Sequence, residues 1–161
     1  NAKARVSGMG TGVIIDARHD RCYAAQAGGP LLVDGVPWRP DERDGHSDSL
    51  VVGIPSTATG PVYELTHAWL DRHVIRNYGS TAIHLALVAT GQLDAAVSTN
   101  SKLWDIAAGW LLVEAGGGRV SAPGGGTLPP LDVATYRNEQ IPTLAVGPTA
   151  RAGLGAPTRS T

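Results

Sequence analysis

Residues 82–89 read Ala-Ile-His-Leu-Ala-Leu-Val-Ala, with a single polar side chain among them. A helix that is apolar nearly all round has no face to give to water, so it has to be packed on more than one side. Ser80 is placed to cap its start and Gly91 to stop it, which predicts a buried helix from about Ser80 to Thr90. A chain that buries a whole helix must supply layers around it, and the remaining segments are of the right kind.

Upstream, Thr11–Asp16, Cys22–Gln26 and Leu31–Val33 are short apolar runs separated by polar or Gly-rich turns. With Asp34-Gly35 as a hairpin signal they predict an antiparallel meander. Residues 39–49 are loop-like in composition. Leu50–Ile54 reads as a buried strand, 61–72 as an amphipathic helix with Val62, Leu65, Trp69 and Leu70 at helical spacing, and Val74–Tyr78 as a strand. Asp94–Ser98, Arg119–Ser121 and Thr143–Val146 are further strands. Between them, a helix from Trp104 to about Ala115 ends at three glycines. Residues 122–142 are Pro- and Gly-rich and predict an irregular loop, and the tail from 148 to 161 predicts disorder. Alternating strands and helices after an antiparallel start predict an α/β layered sandwich.

Composition narrows the partners. Thirteen Lys and Arg against 14 Asp and Glu leave a formal charge of −1, which argues against a strongly basic nucleic-acid binder or a polybasic membrane module. No apolar run approaches the roughly 18 residues of a membrane span. Cys22 is the only cysteine, so an intrachain disulfide is excluded and a cytoplasmic location is the expectation.

Two segments could carry chemistry. Asp105 falls at the start of a predicted helix, where the dipole stabilises a carboxylate by about 0.3–1 kcal/mol. It is either a helix cap or an oxygen ligand for a hard cation. Gly79-Ser80 precedes the buried helix and offers backbone N–H groups to an oxyanion or hydroxyl, or simply caps the helix. His84, inside that helix, reads as a hydrogen-bonded core histidine and Trp104 as a packing residue. No His-x-x-x-His pair, Gly-x-Ser-x-Gly elbow or phosphate loop of the nucleotide-binding type is present.

Arg76-Asn-Tyr-Gly-Ser-Thr-Ala82, Val88-Ala-Thr-Gly-Gln-Leu-Asp-Ala95, Trp104-Asp-Ile-Ala-Ala-Gly109 and Glu114-Ala-Gly-Gly117 occur in this order. In this run the chain resembles the C-terminal half of the inositol monophosphatase family, over most of residues 11–147. The resemblance implies an αβαβα sandwich, here without its N-terminal part, and a magnesium-dependent phosphomonoesterase acting on a small phosphorylated metabolite. It implies that Asp105 ligates metal, that Gly79, Ser80 and Thr81 face the alcohol portion of the substrate, and that Ser98 and Lys102 border the same pocket. Ser98 stands where inositol-preferring members carry a glutamate. A homodimer is a further family expectation.

The family's upstream Glu-Glu and Asp-Pro-Ile/Leu-Asp-Gly-Thr motifs do not occur in these 161 residues. Two readings follow. One is the substrate-side portion of a phosphatase. The other is a non-catalytic binding or assembly module, because magnesium needs several oxygen ligands and one aspartate does not make a two-metal site. A missing half also predicts exposed apolar surface near Gly12–Ile15.

Overall fold

The computed structural model describes residues 6–7, 10–39, 49–128, 131–132, 134–150 and 154. After a two-residue strand, β1 (Val6–Ser7), come β2 (Thr11–Asp16), β3 (Arg21–Gln26), β4 (Leu31–Val33) and β5 (Val36–Pro37). The last four form the expected antiparallel meander, each pairing with its sequence neighbour. Asp34-Gly35 turns the β4–β5 hairpin, and the Asp34 carboxylate accepts from the Cys22 N–H (2.8 Å) and pairs with Arg21 (2.7 Å). Along β2 the side chains alternate as the pleat requires: Ile14 and Asp16 point inward, while Val13 and Ile15 are 50% and 69% exposed.

The second half builds β6 (Val51–Gly53), α1 (Gly60–Leu70), β7 (Val74–Arg76), α2 (Thr81–Ala89), β8 (Ala95–Ser98), α3 (Leu103–Ala115), β9 (Arg119–Ser121), β10 (Leu131–Asp132) and β11 (Thr143–Val146). Five of these strands make one sheet in the order β7-β6-β8-β11-β9. It is parallel across β7, β6 and β8 and antiparallel through β11. β10 pairs in parallel with β1.

The layers follow from the two apolar clusters. Ile14, Tyr23, Ala25 and Leu31 of the meander pack with the apolar surfaces of α2 and α3, which also meet Ala96, Val120 and Ala145 of the five-stranded sheet. The other face of that sheet, with Val52, Ala95, Val97, Leu144 and Val146, packs on Val62, Leu65 and Trp69 of α1. The stack among the described residues is therefore sheet, helix pair, sheet, helix. It is four consecutive layers of an αβαβα sandwich, and the outer face of the meander carries no helix among them. The α2–α3 pair is the doubly covered layer that the sequence of α2 demands. Each fully buried Leu, Ile or Val there contributes roughly 1.5–3 kcal/mol over leaving it in water.

Several details differ from expectation. Leu70 is 54% exposed, because the buried stripe of α1 runs through Val62, Leu65, Thr66 and Trp69 and Leu70 lies one residue, or about 100°, round from Trp69. The strand expected over Val74–Tyr78 stops at Arg76, and the 122–142 loop contains the short β10. Most of the 39–49 loop and of the tail lies outside the described residues. Within the tail Leu154 is buried against the α1 side of the sheet.

Candidate functional site

The two central helices present their N-termini side by side. Thr81 is the first residue of α2 and Ser101 lies two before the first of α3, and their hydroxyls are 3.3 Å apart. Local sequence explains the approach to α2. The Asn77 side chain accepts the Gly79 N–H (2.8 Å), Gly79 turns the chain at φ +71°, and Ser80 is extended with its hydroxyl accepting the Ile83 N–H (3.4 Å). That is the predicted cap. The remaining first-turn N–H groups of α2 belong to those a helix cannot pair internally, and with the dipole they favour an anion or an electronegative oxygen.

Asp105 sits in the first turn of α3, half-buried. One carboxylate oxygen accepts the Lys102 N–H (2.8 Å), so Asp105 does cap the helix. The other oxygen has no hydrogen bond among the described residues. The cap and ligand readings therefore do not exclude each other. Gly79, Ser80, Thr81 and Asp105 belong to one end of the helix pair.

Two other singled-out residues are engaged elsewhere. Ser98 is buried at 5% exposure, and its hydroxyl lies 2.6 Å from that of Thr143, its direct partner across β8 and β11. The Lys102 ammonium donates to the Asn138 backbone carbonyl. Trp104, expected to pack, is 66% exposed. Its ring meets Tyr136 edge-on with centroids 5.8 Å apart. His84 is the core histidine expected: it is 4% exposed, its Nε2 accepts the Tyr78 N–H (3.0 Å), and burial lowers its pKa, so the ring is neutral.

Sequence reasoning missed the segment that surrounds the α3 N-terminus. Tyr136 accepts the Leu103 N–H through its hydroxyl (3.2 Å), and the Ser101 carbonyl accepts the Ile141 N–H (2.8 Å). Composition hides these ties, because Pro- and Gly-rich sequence carries no period and the bonds span more than 30 residues.

The donor set for a cation can be tested directly. Among the described residues no group of three or more His, Cys, Asp or Glu is placed to hold a metal ion. Asp105 alone, with one oxygen engaged by Lys102, does not supply the near-octahedral oxygen shell that magnesium needs. Asp105 lines neither of two cavities among the described residues. One of about 650 Å³ lies between the meander and the C-terminal end of α2, with Arg21, Tyr23, Trp38 and Gln92 in its wall. In it Asp16 bonds His19 (2.7 Å), which lowers the carboxyl pKa. The other, about 690 Å³ and mainly apolar, lies between the start of α1 and the 122–142 segment.

The family model for the inositol monophosphatase family matches residues 8–146. An inositol-1-monophosphatase of Rhizobium meliloti is 34% identical over 120 residues, covering 71% of this chain and 45% of that protein. A probable inositol 1-monophosphatase of Mycobacterium tuberculosis is 37% identical over 113 residues, 63% of this chain and 41% of its own length. The inositol monophosphatase structure from Anabaena (Nostoc) superposes with a TM-score of 0.70 at 25% identity, covering 91% of this chain and 58% of that one. The chain thus spans about half the length of the curated relatives it matches. Motif order, fold and family model agree, and the chain belongs to the inositol monophosphatase family.

Proposed function

We propose that this chain carries the helix-side portion of a phosphomonoesterase site for a small phosphorylated metabolite of the inositol phosphate type. The observation that carries the reading is the convergence of the α2 and α3 N-termini, with Thr81 bridged to Ser101 and Asp105 in the adjoining first turn. Relatives over this region are inositol monophosphatases, and one solved neighbour has inositol monophosphate bound. In this reading the α2 N-terminus receives oxygen atoms of the substrate, and Gly79 keeps side-chain bulk away from them. Asp105 offers its second carboxylate oxygen at the same end as a ligand for a hard cation, since a carboxylate facing the anionic phosphoryl group directly would repel it. Ser98 and Lys102 act from behind, Ser98 by locking β8 to β11 and Lys102 by holding the loop that flanks α3.

Family membership implies magnesium, but the described residues provide one carboxylate for it, so no step is derived through the metal. That single carboxylate favours a second reading, a binding or assembly module without catalysis. We also read the protein as a cytoplasmic homodimer that needs neither nucleic acid nor membrane. No helix among the described residues is long and apolar enough to cross a membrane.

The test is release of inorganic phosphate from inositol 1-phosphate by the protein as its gene encodes it. Release is expected, and Asp105→Asn should lower it about tenfold or more, since even outer-shell partners of such sites are worth that much. Equal release by the variant would remove Asp105 from the site. No release by the parent protein would leave the binding-module reading.

A further inference from the structure

The segment 136–141 grips the start of α3 at three successive residues. The Ser101 carbonyl accepts the Ile141 N–H (2.8 Å), the Lys102 ammonium donates to the Asn138 carbonyl, and the Leu103 N–H donates to the Tyr136 hydroxyl (3.2 Å). The segment is itself ordered by short-range bonds. The Tyr136 hydroxyl donates to the Glu139 carbonyl, the Glu139 carboxylate accepts the Arg137 N–H (2.9 Å), and Asn138 takes a left-handed φ of +73°. The Tyr136 ring braces Trp104, the residue before Asp105, at a near-perpendicular 81°.

These contacts have a purpose that local sequence does not meet. The residue at the N-cap of α3 is Lys102, whose side chain cannot accept a hydrogen bond. Ser, Thr, Asp or Asn would normally stand there and accept the N–H two or three residues on, which holds the first turn. Here the turn is held from outside: the Leu103 N–H donates to a tyrosine 33 residues away. Asp105 reaches back to the Lys102 N–H only if residues 102–105 hold the helical turn.

We propose that Tyr136 is a positioning residue for Asp105: its hydroxyl takes up the first N–H of α3, and segment 136–141 is a clamp that fixes the α3 N-terminus. Through the Ser101–Thr81 contact the clamp also sets the spacing between that terminus and the start of α2. The catalytic meaning of this rests on the reading of Asp105 above. The positioning itself does not.

The test is amide hydrogen exchange by NMR on this chain with Tyr136→Phe, which keeps the ring and removes only the hydroxyl. The Leu103 amide should exchange about three- to tenfold faster, the range for loss of one net hydrogen bond. The Lys102 amide, which reports whether Asp105 still reaches back, should accelerate with it. The amides of Leu112 and Val113, deep in the same helix, should be unchanged. Faster exchange at Leu103 with Lys102 unmoved would show that Tyr136 satisfies a donor without positioning Asp105, and would overturn the proposal. No change at either would do the same. If the phenylalanine variant loosens the whole helix, Lys102→Met breaks the clamp from the other side. It should accelerate the amides of 102 and 103 together, and unchanged rates would again refute the clamp. Phosphate release, measured separately, decides the role of Asp105, so the two readings fail independently.

Discussion

Replacing Gly109 with alanine should cost this chain a net of about 1 kcal/mol of stability. A Cβ built on Gly109 stands 2.5 Å from both Cβ and Cδ1 of Leu85 on α2. Carbon atoms in good contact sit about 3.5–4.0 Å apart, so either the helices part by roughly 1 Å or Leu85 is displaced. A rotamer change can move Cδ1 but not Cβ, and Leu85 is 2% exposed with Trp110 and Ile106 buried in the same cluster. Overpacking of a filled core costs about 1–3 kcal/mol. Alanine returns about 0.8–1.0 kcal/mol of helix propensity relative to glycine. The clash should win because its nearest atom is fixed by backbone. At this chain length each kcal/mol corresponds to about 2–4 °C in Tm. Urea unfolding followed by tryptophan fluorescence gives the difference, with an unchanged slope confirming that the native state is what shifted. Gly124→Ala is the control: its Cβ meets nothing within 4 Å and its φ is not left-handed, so its midpoint should stay put. A Gly109→Ala chain as stable as the parent, or more stable, would refute the close approach of α2 and α3. With that approach would go the reason their N-termini meet.

Two further outcomes follow from other parts of the fold. Burial holds the His84 pKa below its ordinary 6.5, so the unfolded chain binds the proton more readily than the native one. The stability tied to neutral His84 is complete above that pH and is lost as pH falls through and below it. Urea midpoints between pH 7 and 5 should therefore drop more steeply for the parent than for His84→Gln, and parallel curves would remove His84 from the account. On the outer face of β2, Val13 and Ile15 are exposed beside an unpaired strand edge among the described residues. Size-exclusion chromatography of this chain should show association that Ile15→Lys reduces, and a clean monomer in the parent would contradict it.

The elements were readable where one physical rule decides them. Helix α2 is apolar all round and is covered on both sides, and the Asp34-Gly35 turn closes its hairpin where expected. Motif residues were harder to assign, because framework and site roles look alike in sequence. Asp94 belongs to a motif of the family, yet its carboxylate accepts the Val51 N–H (2.7 Å) and fastens β6 beside β8. Gly109 belongs to another, and its work is the close contact with Leu85. Trp104 does pack, but outside the core: a large apolar side chain usually points inward, whereas the first turn of α3 aims this one toward Tyr136. The clamp at 136–141 was not legible at all. Its specificity lies in backbone carbonyls and one hydroxyl, which composition does not record.

The Ser98–Thr143 pair restricts how this family member can diverge. Two hydroxyls 2.6 Å apart satisfy each other in a place nearly closed to water, so neither position is free to drift alone. A carboxylate introduced only at 98 would bury charge against one neutral donor, and an apolar residue only at 143 would strand the Ser98 hydroxyl. Descendants of this sequence should therefore exchange the two positions jointly. A change at position 98 would leave its trace 45 residues away, in the strand opposite.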